Sequence, residues 1–170
     1  SIANGSYVYN KNGAKANNIF WLIDGALNTA RNIAMMGNYI SKGAINLDSD
    51  SYLLGRLISI NSPIKTGWDL VKPRNPTTSN FDLGVIEDFV VFTGSGNITN
   101  PTGRDGTNID GIIATNNGTI SGLPPYNGVY APVVINTKPV IVEFGIYVGE
   151  TLIFTSFIRT LDYHEYHNIN

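Results

Sequence analysis

Cysteine is absent from the 170 residues, which removes disulfides, thiolate catalysis and cysteine-ligated zinc together. Charge is scarce as well: 14% of residues are charged, against about a quarter in ordinary domains. Lys and Arg are scattered within a net charge of −2, so no basic stripe awaits a phosphate backbone and nucleic acid is not expected as a partner. No apolar run approaches the roughly 18 residues of a membrane span, and no basic segment followed by an apolar one marks a signal peptide. Neither a Gly-x-Ser-x-Gly turn nor a phosphate loop occurs, Gly94-Ser95-Gly96 being too short for a dinucleotide fingerprint. These absences predict no enzyme, no catalytic residues and no cofactor.

What the chain has instead is 21 Asn and 18 Gly, residues of turns and corners, and a repeat. Trp21-Leu22-Ile23-Asp24-Gly25-Ala26-Leu27-Asn28 superposes on Tyr39-Ile40-Ser41-Lys42-Gly43-Ala44-Ile45-Asn46 and then on Leu57-Ile58-Ser59-Ile60, at a spacing of 18 residues. Met35-Met36-Gly37-Asn38 likewise lies above Leu53-Leu54-Gly55-Arg56. Helix-pair repeats need more than about 30 residues, whereas this period suits one turn of a β-solenoid. Stacked ladders are therefore expected at Trp21, Tyr39 and Leu57, with corners at Gly25 and Gly43 beside Ala26 and Ala44. A β-branched residue at either glycine is expected to destabilise the fold if φ is positive there.

Along the chain, Asn4-Gly5 and Asn12-Gly13 flank a short alternating segment, Ser6-Tyr7-Val8-Tyr9-Asn10. Ala26 to Met36 holds good helix formers, yet the aligned row carries Asn46-Leu47-Asp48-Ser49-Asp50-Ser51, so strand and corner are expected for both. Pro63 is read as the end of the repeat, and Lys72 to Asn80 has the proline and polar content of a linker. Val140–Val148 and Leu152–Ile158, separated by Gly149-Glu150-Thr151, read as an antiparallel hairpin. The fold class is thus all-β: a short β-solenoid of 18-residue coils plus an antiparallel hairpin or sandwich element. The division is a solenoid half-module over 1–72, a linker over 73–80, a second half-module over 81–132 and an antiparallel element over 133–170.

The segment from Asn18-Ile19-Phe20-Trp21 through Gly25-Ala26, Gly43-Ala44-Ile45-Asn46-Leu47 and Leu54-Gly55-Arg56-Leu57 resembles the C-terminal half of the microbial ice-binding protein family. Leu83-Gly84, Phe89-Val90-Val91-Phe92, Ile98-Thr99-Asn100, Gly103 and Gly118-Thr119-Ile120-Ser121-Gly122 resemble its N-terminal half. The resemblance implies a discontinuous right-handed β-solenoid with a flat face of small residues, as in surface adhesin-type proteins. The halves stand in swapped order and the family's long helix is missing. Three readings stay open: a fragment of a tandem array, a permuted helix-free relative, or a subunit whose half-solenoids stack on neighbouring chains through unpaired strand edges. The start at Ser1 and the end at Asn170 are expected of a processed product, a fragment or the ordered part of something longer.

Thr29, Thr93, Thr99, Thr107, Thr115 and Thr119 show no 18-residue register, and the stacked positions Asp24, Lys42 and Ile60 are not threonine-rich, so no ice-binding residues are assigned. His164-Glu165-Tyr166-His167 is the one histidine cluster; on a strand its histidines diverge, and a terminal tail is the plainer reading. The acidic loop Asp105 to Gly111 lacks the spacing and closing glutamate of a calcium hand and reads as an Asx-rich turn, so no metal is expected. Sequons for N-glycosylation fall at Asn4, Asn97 and Asn117. The expectation is a structural or adhesive component of an extracellular surface layer, filament or virion, self-assembling through β-edges as a homo-oligomer or polymer or alongside neighbouring modules. The alternative is an ice-binding or carbohydrate-binding surface module.

Overall fold

Short apolar and polar alternations closed by Asn, Asp or Gly build strands of a few residues and no amphipathic helix. The computed structural model describes residues 1–67, 69–72, 89–101, 108–109, 111–123, 132–134, 140–148 and 151–160. Its early strands are β1 (Phe20–Ile23), β2 (Leu27–Asn28), β3 (Ala34–Ser41), β4 (Ile45–Asn46), β5 (Ser51–Ser59), β6 (Ile64–Lys65) and β7 (Asp69–Lys72). They are followed by β8 (Phe89–Thr93), β9 (Ile98–Thr99), β10 (Asn108–Ile109), β11 (Ile112–Thr115), β12 (Ile120–Ser121) and β13 (Pro132–Val134). All of these pair in parallel. Among the described residues the one helical piece is a 3-10 turn at Ala16–Asn18.

The strands wind into a solenoid with three faces. The first face is made by the N-terminal halves of β3 and β5 with β7 and β10. The second is made by β1, the C-terminal halves of β3 and β5, and β8, β11 and β13. The third is the five-stranded order β12-β9-β6-β4-β2. Corner residues explain the turns between them. Asn32 and Asp50, equivalent in the repeat, take φ of 54° and 63° where the third face passes to the first, a left-handed conformation that Asn and Asp adopt more readily than other side-chain-bearing residues. Gly37 and Gly55 bend β3 and β5 from the first face into the second at φ of 111° and 152°. The two are register partners, and a Cβ on Gly55 would lie 1.9 Å from the Gly37 carbonyl oxygen, so only glycine fits.

Each face sends one ladder of side chains to the axis. Leu27, Ile45, Ile64 and Ile98 come from the third face; Met35, Leu53 and Ile109 from the first; Tyr39, Leu57, Val91 and Ile113 from the second. All are buried in one cluster. Burying each such side chain contributes roughly 1.5–3 kcal/mol. The second face is buried on its outer side too: Ile40, Ile58, Phe92 and Ala114 stack in register and are at most 2% exposed.

One expectation changes here. Pro63 does not end the repeat: it sits one residue ahead of β6, where its carbonyl accepts a hydrogen bond from Ile45 N at 3.1 Å, and β6 pairs with β4 as the next rung. The coil has simply lengthened, from 18 residues between Leu27 and Ile45 to 19 between Ile45 and Ile64. The solenoid also runs on past the third row, into the segment expected to be a second half-module. Leu57 pairs with Val91 and Ile64 with Ile98, so the strands after residue 88 continue the same sheets. The expected linker 73–80 lies outside the described residues. Beyond the solenoid, β14 (Val140–Val148) and β15 (Thr151–Thr160) pair antiparallel, from Val140 with Thr160 to Val148 with Thr151.

Candidate functional site

The third face is open to solvent. Its strands are two residues long, with Leu27, Ile45, Ile64, Ile98 and Ile120 in register. Side chains alternate along a strand, so each inward residue is flanked by two outward ones. One outward row reads Asn28, Asn46, Lys65, Thr99, Ser121, in register through the same pairings. The other reads Ala26, Ala44, Pro63, Asn97, Thr119, aligned by the bonds Leu27 N to Ala44 O, Ile45 N to Pro63 O, Ile64 N to Asn97 O and Ile98 N to Thr119 O, all 2.8–3.1 Å. None of the ten is buried. Apart from Lys65 all are small or medium-sized, so the face is a grid of methyl, hydroxyl and amide groups. It repeats at about 4.8 Å across strands and about 6.6 Å along them. Side-chain bonds hold its amides in place: Asn46 Nδ2 donates to Asn28 Oδ1 at 2.7 Å, and Thr119 N donates to Asn97 Oδ1 at 2.9 Å.

The other exposed face is unlike it. Tyr7 bridges to Ala34, which pairs with Tyr52, and Tyr7, Tyr9 and Tyr52 are 64%, 68% and 38% exposed beside half-buried Met36 and Leu54. Those rings project unevenly.

A line of hydroxyls runs down the corner between the second and third faces. Ser41, Ser59, Thr93 and Thr115 are register partners, all with 0% exposure. Each donates to a carbonyl in the corner of the coil before it: Ser41 Oγ to Gly25 O at 2.6 Å, Ser59 Oγ to Gly43 O at 3.1 Å, Thr93 Oγ1 to Ser62 O at 2.7 Å and Thr115 Oγ1 to Gly96 O at 2.7 Å. The threonines thus divide by role. Thr93 and Thr115 staple a buried corner, Thr99 and Thr119 lie on the open grid, Thr29 lies at its edge, and Thr107 is outside the described residues.

The expected ladder residues occupy the following places. Trp21, Tyr39 and Leu57 are register partners on the second face, and the Trp21 and Tyr39 rings stack with centroids 5.6 Å apart. Trp21 is 39% exposed and closes the end of the ladder, its Nε1 donating to Met36 O at 2.8 Å. Burial pushes the Tyr39 hydroxyl up to about 12; the Met36 backbone opposes this in part, without a well-formed hydrogen bond to the phenol oxygen. Gly25 and Gly43 form the stapled corner, but neither has positive φ. Gly43 is required by close approach, since a Cβ there would lie 2.8 Å from the Gly25 carbonyl group; a Cβ on Gly25 meets nothing within 4 Å. Asp24 and Lys42 form an exposed ion pair at the same corner, and the Lys42 ammonium holds the Asp24 carboxyl below its usual range.

Of the sequons, Asn4 and Asn117 are exposed in turns, while Asn97 stands on the third face, where a glycan would cover it. The loop 102–107 and the histidines His164 and His167 lie outside the described residues. Among the described residues no group of three potential metal ligands occurs, and no helix is long and apolar enough to cross a membrane.

A three-faced parallel solenoid with one open face of small, mostly polar side chains defines the class of β-solenoid proteins. Within that class, the ice-binding-like family model matches residues 1–67, and the solenoid and the match together fit an ice-binding-like β-solenoid family. The matched segment ends just past β6, and the later strands extend the same sheets. No curated protein and no solved structure shows significant similarity to the chain.

Proposed function

We propose that the chain is an ice-binding-type surface module of an extracellular protein and that the third face is the surface it uses. The observation that carries this reading is the register of ten outward residues on five parallel strands, nine of them small or medium-sized and none buried. Ice is a rigid two-dimensional ligand, so many weak contacts must be met at once. A backbone-fixed grid of methyls, hydroxyls and amides meets them with little side-chain entropy left to lose. The family match over residues 1–67 supports the same reading. Lys65 is the exception on this surface, because a flexible, strongly hydrated ammonium works against ordered water.

The test is thermal hysteresis and inhibition of ice recrystallisation. Thr119→Tyr raises a ring from the grid and is expected to abolish both without lowering Tm, whereas Lys65→Thr is expected to increase them. An inactive parent chain, or hysteresis untouched by Thr119→Tyr, defeats the assignment. A second reading, as a structural or adhesive subunit, is favoured by one observation: among the described residues no strand pairs with the outer edge of β1. That edge offers backbone groups to another chain.

A further inference from the structure

Where the third face turns toward the first, the surface opens into a cleft of about 340 Å³ lined by Asn28, Thr29, Arg31, Asn46, Asp48 and Lys65 among others. We propose that this cleft binds the anionic, polyhydroxylated unit of an acidic saccharide of the uronate type. Two features of its lining carry this.

The first is charge. Arg31 and Lys65 face one carboxylate, Asp48, so the cleft is locally positive on a chain of net charge −2. Arg31 Nε lies 3.6 Å from Asp48 Oδ1, both side chains about half exposed or more, so Asp48 offsets Arg31 only loosely. Lys65 has no ion-pair partner among the described residues and is left for the anion.

The second is the pairing of donors with acceptors. The hydrogen bond that Asn46 Nδ2 donates to Asn28 Oδ1 leaves Asn28 Nδ2 as a donor and Asn46 Oδ1 as an acceptor, side by side on neighbouring strands. Thr29 Oγ1 accepts from Asp48 N at 3.1 Å and keeps its own proton to give. Asp48 Oδ1 accepts from Ser49 N at 2.8 Å, leaving its second oxygen to accept. A sugar hydroxyl donates and accepts at once and matches such alternation, whereas a simple oxyanion, which only accepts, uses half of it. The carboxylate of the sugar ring would then meet Lys65 with the hydroxyls along the Asn28, Asn46 and Thr29 edge.

The proposal does not rest on the ice reading, because binding is measured in solution above freezing. The probe is a galacturonate tetramer, titrated calorimetrically into the full chain at low salt, beside a neutral cello-tetraose and inorganic sulfate. Expected is saturable one-to-one binding of the tetramer, about tenfold or more tighter than cello-tetraose, a difference of about 1.4 kcal/mol or more. Lys65→Gln is expected to weaken it about tenfold, while Lys42→Gln, which removes the same charge from another corner, leaves it within about twofold. Equal losses in the two variants would reduce the effect to overall charge. Those equal losses, sulfate binding as tightly as the tetramer, or no saturable binding would each overturn the site. Both lysines are exposed, and an unchanged Tm confirms that each variant is folded.

Discussion

Tyr39 is a core residue with a defect. Its ring lies between Trp21 and Leu57 in the second-face ladder at 2% exposure, and its hydroxyl oxygen is buried without a hydrogen-bond partner. A buried unsatisfied hydroxyl costs roughly 1–3 kcal/mol, so Tyr39→Phe is expected to raise Tm by a few degrees. The pH response follows from the same burial. The folded-state value of about 12 stands above the ordinary 10, so the proton is held more tightly in the folded chain. Stability is full below pH 10 and is lost as pH rises from 10 toward 12, where the unfolded phenol ionises and the folded one does not. Denaturant titrations across that window should show the loss in the parent chain and a flatter response in Tyr39→Phe. The sequence indicated the Trp21, Tyr39, Leu57 ladder because three bulky residues recur at equal spacing. It did not indicate the orphaned hydroxyl, which depends on neighbours from other coils.

At the level of strands and corners, glycines that look alike in the repeat do different work. Gly55 combines φ of 152° with a carbonyl 1.9 Å from where its Cβ would be, so Gly55→Ala must both strain the bend and push adjacent coils away from each other. A loss of roughly 1–3 kcal/mol from backbone strain alone is expected, read as a drop in Tm or a lower denaturant midpoint. Gly25→Ala should change either measure little, since that site has open space and no positive φ. The repeat was legible from Trp21 to Ile60 because those coils are equal in length and carry Gly, Asn or Asp at matching corners. It faded afterwards because the coils grow: from Ile64 to Ile98 is 34 residues and from Ile98 to Ile120 is 22. The third face was hidden for that reason. Thr99 and Thr119 meet neighbours at spacings that no single period contains, and strands two residues long leave too little alternation to read.

For the whole molecule, the open question is whether the stack works alone or joins others. The N-terminal end is partly covered: Ile2 bridges to Thr29 and Tyr7 to Ala34, and the 3-10 turn brings buried Ala16 and Asn17 against β3, where Asn38 Nδ2 donates to Asn17 O at 3.1 Å. At this end the outer edge of β1 is unpaired among the described residues, and it is only four residues long. Short edges pair weakly. This end of the solenoid is therefore expected to leave the chain a monomer in sedimentation at micromolar concentration, and ordered filaments in negative stain would instead favour the structural-subunit reading. The line of buried hydroxyls has a consequence for how such a molecule can change. Successive rungs at Ser41, Ser59, Thr93 and Thr115 are 18, 34 and 22 residues apart, yet each makes the same bond to the coil behind it. Pitch is fixed at one spine and circumference is free elsewhere. Segments of unequal length can be gained or lost opposite that spine, as leaves of different width are held in one binding, while the open grid beside it keeps its spacing.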